Sequence, residues 1–162
     1  MAQVISAAPN IDVSAFAARL AAGAPVLADP SRRACERFGY QTLYEVPAAL
    51  QKRLRRELIR AHAESLRDNR DAVCDHSVFV WLADWMRWLW PETTTQEWED
   101  VLAEARPAVE RSDVIHHVIA GPPASYDGYR WLDAGHARQV ERLTRCLYRE
   151  LGCESRVKDV RL

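Results

Sequence analysis

Apolar residues fall along this chain in short bursts separated by longer stretches of helical spacing. Gln3 to Ser6 is a short, mostly apolar run. The turn-prone Ala7-Ala8-Pro9-Asn10 follows, and then Val13, Phe16, Ala17 and Leu20 recur at helical intervals. Gly23 closes that helix, and Pro25 to Ala28 predicts a second short strand ending at Asp29-Pro30. From about Pro47 to Arg67, Leu50, Leu54, Leu58 and Leu66 mark one face of a long helix. Ala72-Val73-Cys74 predicts a third strand bounded by Asp75. Trp81, Trp85 and Trp88 then share a helical face; such a stripe suits a packed core and could also stack on a base or sugar. Thr94 or Thr95 can cap a helix from about Gln96 to Arg106, which Pro107 interrupts. Val114 to Ile119 predicts a buried strand, and the Gly-, Pro- and Tyr-containing segment 121–133 a lid-like loop. His136 to Leu151 predicts a last helix, ended by Gly152, and Arg156 to Val160 a last strand.

Strands that alternate with helices over the whole length predict an α/β fold: three layers, with helices on both faces of a mainly parallel five-stranded sheet. With 162 residues and no visible linker, residues 1–162 are read as one domain. Ligands of such sheets sit beyond the carboxyl ends of the strands. That rule gathers Ala7 to Ser14, Asp29, Asp75 and Gly121 to Arg130 around one crevice.

Composition changes this picture little. Hydrophobic residues make up 48% and charged residues 28%, which excludes disordered, collagen-like and low-complexity classes. A formal net charge of -1 gives no whole-molecule attraction to nucleic acid or membrane. The cysteines Cys35, Cys74, Cys146 and Cys153 fall singly, so neither a zinc ribbon nor a dithiol redox site is indicated, and a reducing cytoplasm is expected. No apolar run reaches the roughly 18 residues of a membrane span, and no signal-peptide pattern opens the chain. HExxH and GxSxG elements are absent. His116 and His117, adjacent in a predicted strand, point to opposite faces and cannot easily share a metal. Two lysines, Lys52 and Lys158, stand among 22 basic residues, so a mechanism needing lysine has two positions to draw on. Lys52, Arg53, Arg55, Arg56 and Arg60 crowd one helix, either as a solvated face or as a surface for a nucleic-acid or protein partner.

The order of strand, loop, helix, short strand with Asp29-Pro30, strand ending in Asp75-His76-Ser77, and late Asp127-Gly128-Tyr129-Arg130 loop resembles small P-loop nucleoside and nucleotide kinases. The resemblance spans nearly the whole chain in layout, on short motifs. Asp75-His76-Ser77 resembles the Asp-Arg-Ser tract of these kinases, with His76 in place of the arginine. Asp29-Pro30 is similar to their Glu-Pro pair. Their phosphate loop, GxxxxGK[ST], cradles phosphates with backbone amides, a lysine and a magnesium-binding hydroxyl. Aligned on Ala7 to Ser14, only Ser14 survives: Ala7 and Asp12 stand for the glycines and Val13 for the lysine. Lost cation and added like charge are each worth a few kcal/mol at an effective dielectric of about 20. Asp12 could equally cap the following helix.

The resemblance therefore implies a kinase-like protein that has lost ordinary ATP-dependent catalysis and binds a nucleotide, nucleic acid or protein, with no cofactor expected. Asn10, Asp12 and Ser14 would be what remains of the phosphate-binding loop. The alternative is an active phosphotransferase on a nucleoside or nucleotide with a remodelled donor site. It would use Asp29 as proton acceptor, Asp75 and Ser14 for magnesium, and Arg130 as the lid arginine toward ATP. A third reading is an assembly subunit without a ligand, with Trp90, Trp98 and the arginine-rich helix as interface candidates.

Overall fold

The computed structural model describes residues 1–43, 45–125 and 133–162. Arg130 and most of the expected lid-like loop lie outside the described residues. Within them, β1 (Gln3–Ala7), β2 (Val26–Leu27), β3 (Val73–Cys74), β4 (Val114–Ala120) and β5 (Val157–Arg161) form one sheet in the order β2-β3-β1-β4-β5. Every pairing is parallel. The side-chain period of two sorts this sheet into two faces. Ile5, Val73 and Val118 join one core, and Val4, Cys74 and Ile115 the other.

Helix α1 (Ser14–Ala21) covers the first face, burying Phe16, Ala17 and Ala21. The larger core on the second face takes residues from α3 (Ala48–Asp68), α4 (Val78–Trp88), α5 (Thr95–Arg111) and α6 (Ala134–Glu150). The result is the three-layer α/β/α arrangement expected from the alternation of elements. His116 and His117 divide between the layers as their adjacency requires. The His116 ring stands edge-on 5.5 Å from Phe16 of α1, whereas His117 Nδ1 lies 2.9 Å from the Tyr148 hydroxyl of α6.

Two local expectations are corrected. Helix α2 (Ser31–Arg37) follows β2 where only a strand-ending Asp-Pro was read; it buries just Ser31, Ala34 and Cys35, too few positions to show a period. Helix α5 runs through Pro107 to Arg111 instead of breaking there. Proline inside a helix removes one backbone donor and crowds the preceding turn. Burial of Val101, Ala105, Ala108 and Val109 on both sides of the proline offsets that cost. Its start is as expected: the Thr94 hydroxyl accepts the Glu97 amide at 3.1 Å, and Glu97 completes the S/T-x-x-E pattern. Of the tryptophan stripe, Trp81 and Trp85 are core, while Trp88 is 38% exposed beneath the Arg87 guanidinium.

The strand order fixes where a crevice can form. The connection from β1 runs to β2 on one side of the sheet, and that from β3 crosses β1 to reach β4 on the other. The carboxyl ends of β1 and β3 thus flank a point where the winding reverses, the place at which open parallel sheets bind ligands.

Candidate functional site

A cavity of about 120 Å³ opens at that point. The β1–α1 loop supplies Ala7, Ala8, Pro9, Ile11, Val13 and Ser14. The end of β2 and the start of α2 add Asp29 and Ser31, the end of β3 adds Asp75, His76 and Ser77, and α4 and α6 add Trp81, Asp84 and His136. Ser14, Asp29 and Asp75, singled out in the sequence, therefore line one cavity. No lysine or arginine lines it among the described residues.

The loop that aligns with a phosphate cradle is folded in upon the protein. The Ile11 amide donates to the Ala8 carbonyl at 3.0 Å and the Asp12 amide to the Pro122 carbonyl at 2.9 Å. The Ser14 amide donates to Asp12 Oδ1 at 2.9 Å. The Asn10 carbonyl accepts the Ala124 amide at 2.9 Å, so a short antiparallel bridge of Ile11 with Pro123 ties the loop to the segment after β4. Gly121 makes this approach possible, since a Cβ there would stand 2.8 Å from Ile11 Cγ2. Asp12 thus serves the helix start, and the same turn recurs at α2, where Asp29 Oδ1 accepts the Ser31 amide at 2.8 Å.

Asp75 is held from behind by a chain of rings. Its Oδ1 lies 3.0 Å from His76 Nδ1, and His76 Nε2 lies 2.9 Å from His62 Nδ1. Trp81 packs against both imidazoles, with centroids 5.1 Å from His76 and 5.4 Å from His62. Burial, and secondarily the neighbouring His76, hold the His62 imidazole well below the usual histidine range. A neutral His62 donating from Nδ1 leaves His76 Nε2 as acceptor and its Nδ1–H for Asp75. This order of donors satisfies every contact in the chain.

The composition of the sequence did not point to Asp84, His136 or Ser31. Asp84 sits on α4, and its Oδ1 lies 3.8 Å from His136 Nε2, beyond hydrogen-bond reach. Burial raises the Asp84 carboxyl above the ordinary range, with Asp29 pushing the same way, and outweighs the opposing pull of Arg55, His136 and Arg87. Asp84 Oδ1 and Ser31 Oγ are both buried without a hydrogen-bond partner among the described residues. A signal for Asp84 did exist: it is the one acid in the apolar run Val78 to Trp88. Ser31 carries none, because a serine after Asp-Pro reads as a turn.

A second polar chain crosses the larger core. Ser77 Oγ donates to Ser6 Oγ at 3.0 Å, Ser6 also bonds Tyr148, and Tyr148 meets His117. Burial pushes the Tyr148 hydroxyl upward and the His117 imidazole downward, each toward its neutral form.

The arginine-rich helix α3 is engaged with its neighbours. Lys52 pairs with Glu97 at 2.6 Å, Arg56 and Arg60 both donate to Glu104, and Arg53 pairs with Glu57 over the Phe38 ring. Arg55 is buried and donates to Gln51. Much of the charge on α3 joins it to α5. Trp90 is 48% exposed and Trp98 half-buried, the two rings packed edge to face.

Among the described residues, no group of three or more His, Cys, Asp or Glu side chains is placed to hold a metal ion, and no helix is long and apolar enough to cross a membrane. Comparison of the chain with protein-family models, with curated proteins and with solved structures finds no match.

Proposed function

We propose that this protein is a P-loop kinase-like domain that has given up ordinary ATP-dependent phosphoryl transfer and works by binding in the crevice between β1 and β3. The kinship is supported by the neighbouring positions of β1 and β3. They put Ser14 and Asp75 on one cavity, the juxtaposition that a magnesium-binding hydroxyl and carboxylate require in P-loop enzymes.

One observation carries the loss of catalysis. The amides of Ile11, Asp12 and Ser14 are committed to acceptors within the protein. A phosphate cradle needs such amides turned toward the ligand. Breaking three hydrogen bonds at about 1 kcal/mol each costs roughly a hundredfold in affinity. The triphosphate would then meet Asp29, Asp75 and Asp84 on the lining and no cation there among the described residues. A magnesium–ATP complex does not fit these groups. Calorimetry tests the reading. No saturable heat is expected from magnesium–ATP at about 1 mM, a threshold near 4 kcal/mol of binding energy. Micromolar binding that disappears in Ser14→Ala would overturn it.

An active nucleoside or nucleotide phosphotransferase with a remodelled donor site is the second reading, favoured by Ser14, Asp29 and Asp75 sharing one cavity. The size of that cavity weighs against it, since 120 Å³ lies well below the roughly 300 Å³ and upward that enclose a ligand of nucleoside size. Turnover of a nucleoside panel, abolished in Asp75→Ala, would establish it. A nucleic-acid or protein partner on α3 would have to compete with Glu97 and Glu104 for its cations. Cytoplasmic residence belongs to the same proposal and accords with four cysteines that form no disulfide among the described residues.

A further inference from the structure

Two side-chain oxygens on the crevice lining have no hydrogen-bond partner among the described residues. Ser31 is 2% exposed and lines the cavity, yet its hydroxyl has no hydrogen-bond partner. Its backbone amide is already given to Asp29, which fixes the residue in place. Asp84 Oδ1, on the facing helix α4, is likewise buried at the cavity and unpartnered. Buried polar atoms without partners are uncommon and costly, and where they converge on one cavity they describe the polar groups of its ligand.

Charge and size narrow that ligand. Among the described residues, the ionisable groups on the lining are carboxylates and imidazoles: Asp29, Asp75, Asp84, His76 and His136. Arg55 and Arg87 act on Asp84 electrostatically, but neither lines the cavity. An anion would meet three carboxylates; a cation would meet its counter-charge. Ile5, Leu43, Val80 and Trp81 supply apolar wall. The volume of 120 Å³ is somewhat smaller than the cavity of about 150 Å³ known to accept benzene, which limits the buried part of the ligand to about six non-hydrogen atoms.

Resting on the binding role proposed above, we infer that the crevice binds a small hydroxyl-bearing amine, its ammonium group on Asp84 and its hydroxyl on Ser31. Asp84 Oδ1 then gains a hydrogen-bond donor that also carries charge, and Ser31 a partner that can both give and take a hydrogen bond. Asp29 and Asp75 at the cavity select the cation over neutral and anionic molecules of the same size.

The probe is ethanolamine, compared with ethylene glycol and with acetate, followed by chemical-shift changes of the tryptophan indoles. Ethanolamine is expected to saturate with a dissociation constant of about 1 mM, within what four non-hydrogen atoms can supply. The neutral and anionic probes should bind at least about tenfold more weakly. Asp84→Asn should cost about tenfold, and Ser31→Ala several-fold, with unchanged far-ultraviolet circular dichroism. Equal binding of glycol or acetate, no ethanolamine binding, or binding indifferent to both substitutions would overturn the inference. None of these outcomes bears on the loss of ATP binding, which only the nucleotide titration decides.

Discussion

His62 and His76 share a 2.9 Å hydrogen bond between Nδ1 and Nε2 beneath the crevice, and a single proton occupies that contact. Since His62 is fully buried, a positive charge on its ring would be cut off from solvent and set against the neighbouring His76.

Acid sensitivity follows from this pair. The folded-state pKa of His62 lies well below its unfolded value near 6.5, so between the two the unfolded chain binds the additional proton. Stability is therefore complete above about pH 6.5 and falls as pH drops, by up to about 1.4 kcal/mol per pH unit from His62 alone. His116 and His117, lowered chiefly by burial, act in the same direction. Urea midpoints measured from about pH 5 to 7.5 should show the decline. His62→Gln, which can still donate to His76, should flatten the slope without removing it. An unchanged slope would contradict the assignment.

Gly121 is read as a steric requirement. Gly121→Ala brings a Cβ to 2.8 Å from Ile11 Cγ2 and 3.3 Å from Leu162 Cβ, and should cost about 1–3 kcal/mol. The companion change Ile11→Ala removes the clashing methyl. The pair should be less harmful together than the sum of the single changes, a coupling that a double-mutant cycle in urea measures directly.

Glu104 is the shared acceptor of Arg56 and Arg60 at the contact of α3 with α5. Glu104→Gln should lower stability by about 1 kcal/mol in dilute buffer and by less near 1 M salt, where screening shortens the reach of the charges. If α3 were a nucleic-acid surface held in check by Glu104, the same substitution would raise affinity for DNA or RNA; equal retention on heparin excludes that.

Thiol reactivity separates the cysteines. Cys146 is exposed, whereas Cys35, Cys74 and Cys153 are buried, and burial pushes the Cys74 thiol up to about 12. A disulfide reagent at pH 8 should titrate Cys146 quickly and the remaining three only as the protein unfolds. Cys146→Ser should remove the fast phase.

The five strands and most of the helices were legible because each announces itself locally. Val114 to Ile119 is a continuous β-prone run, and Leu54, Leu58 and Leu66 repeat at helical spacing. Helix α2 was not legible, having only seven residues and no stripe. Pro107 misled because a local penalty was outweighed by burial on α5. Of the site, the aspartates at strand ends could be anticipated from the sheet rule. The placing of Ser31 and Asp84 on one cavity, like the link of Asp75 through His76 to His62, depends on strand order and helix packing that no local pattern encodes. Asp12 left two possibilities open in the sequence, a repelling charge or a cap; the N-cap is Val13, without a side-chain cap bond, and Asp12 stands one residue before it, its carboxylate accepting the Ser14 amide at 2.9 Å.

That bond also turns Asp12 into a built-in competitor. The start of a helix attracts anions, and here the chain delivers one of its own to the Ser14 amide, tethered two residues away. A tethered group acts at an effective concentration that a dissolved ligand seldom reaches. Any phosphate arriving from solution at the Ser14 amide must therefore displace a carboxylate that never diffuses away.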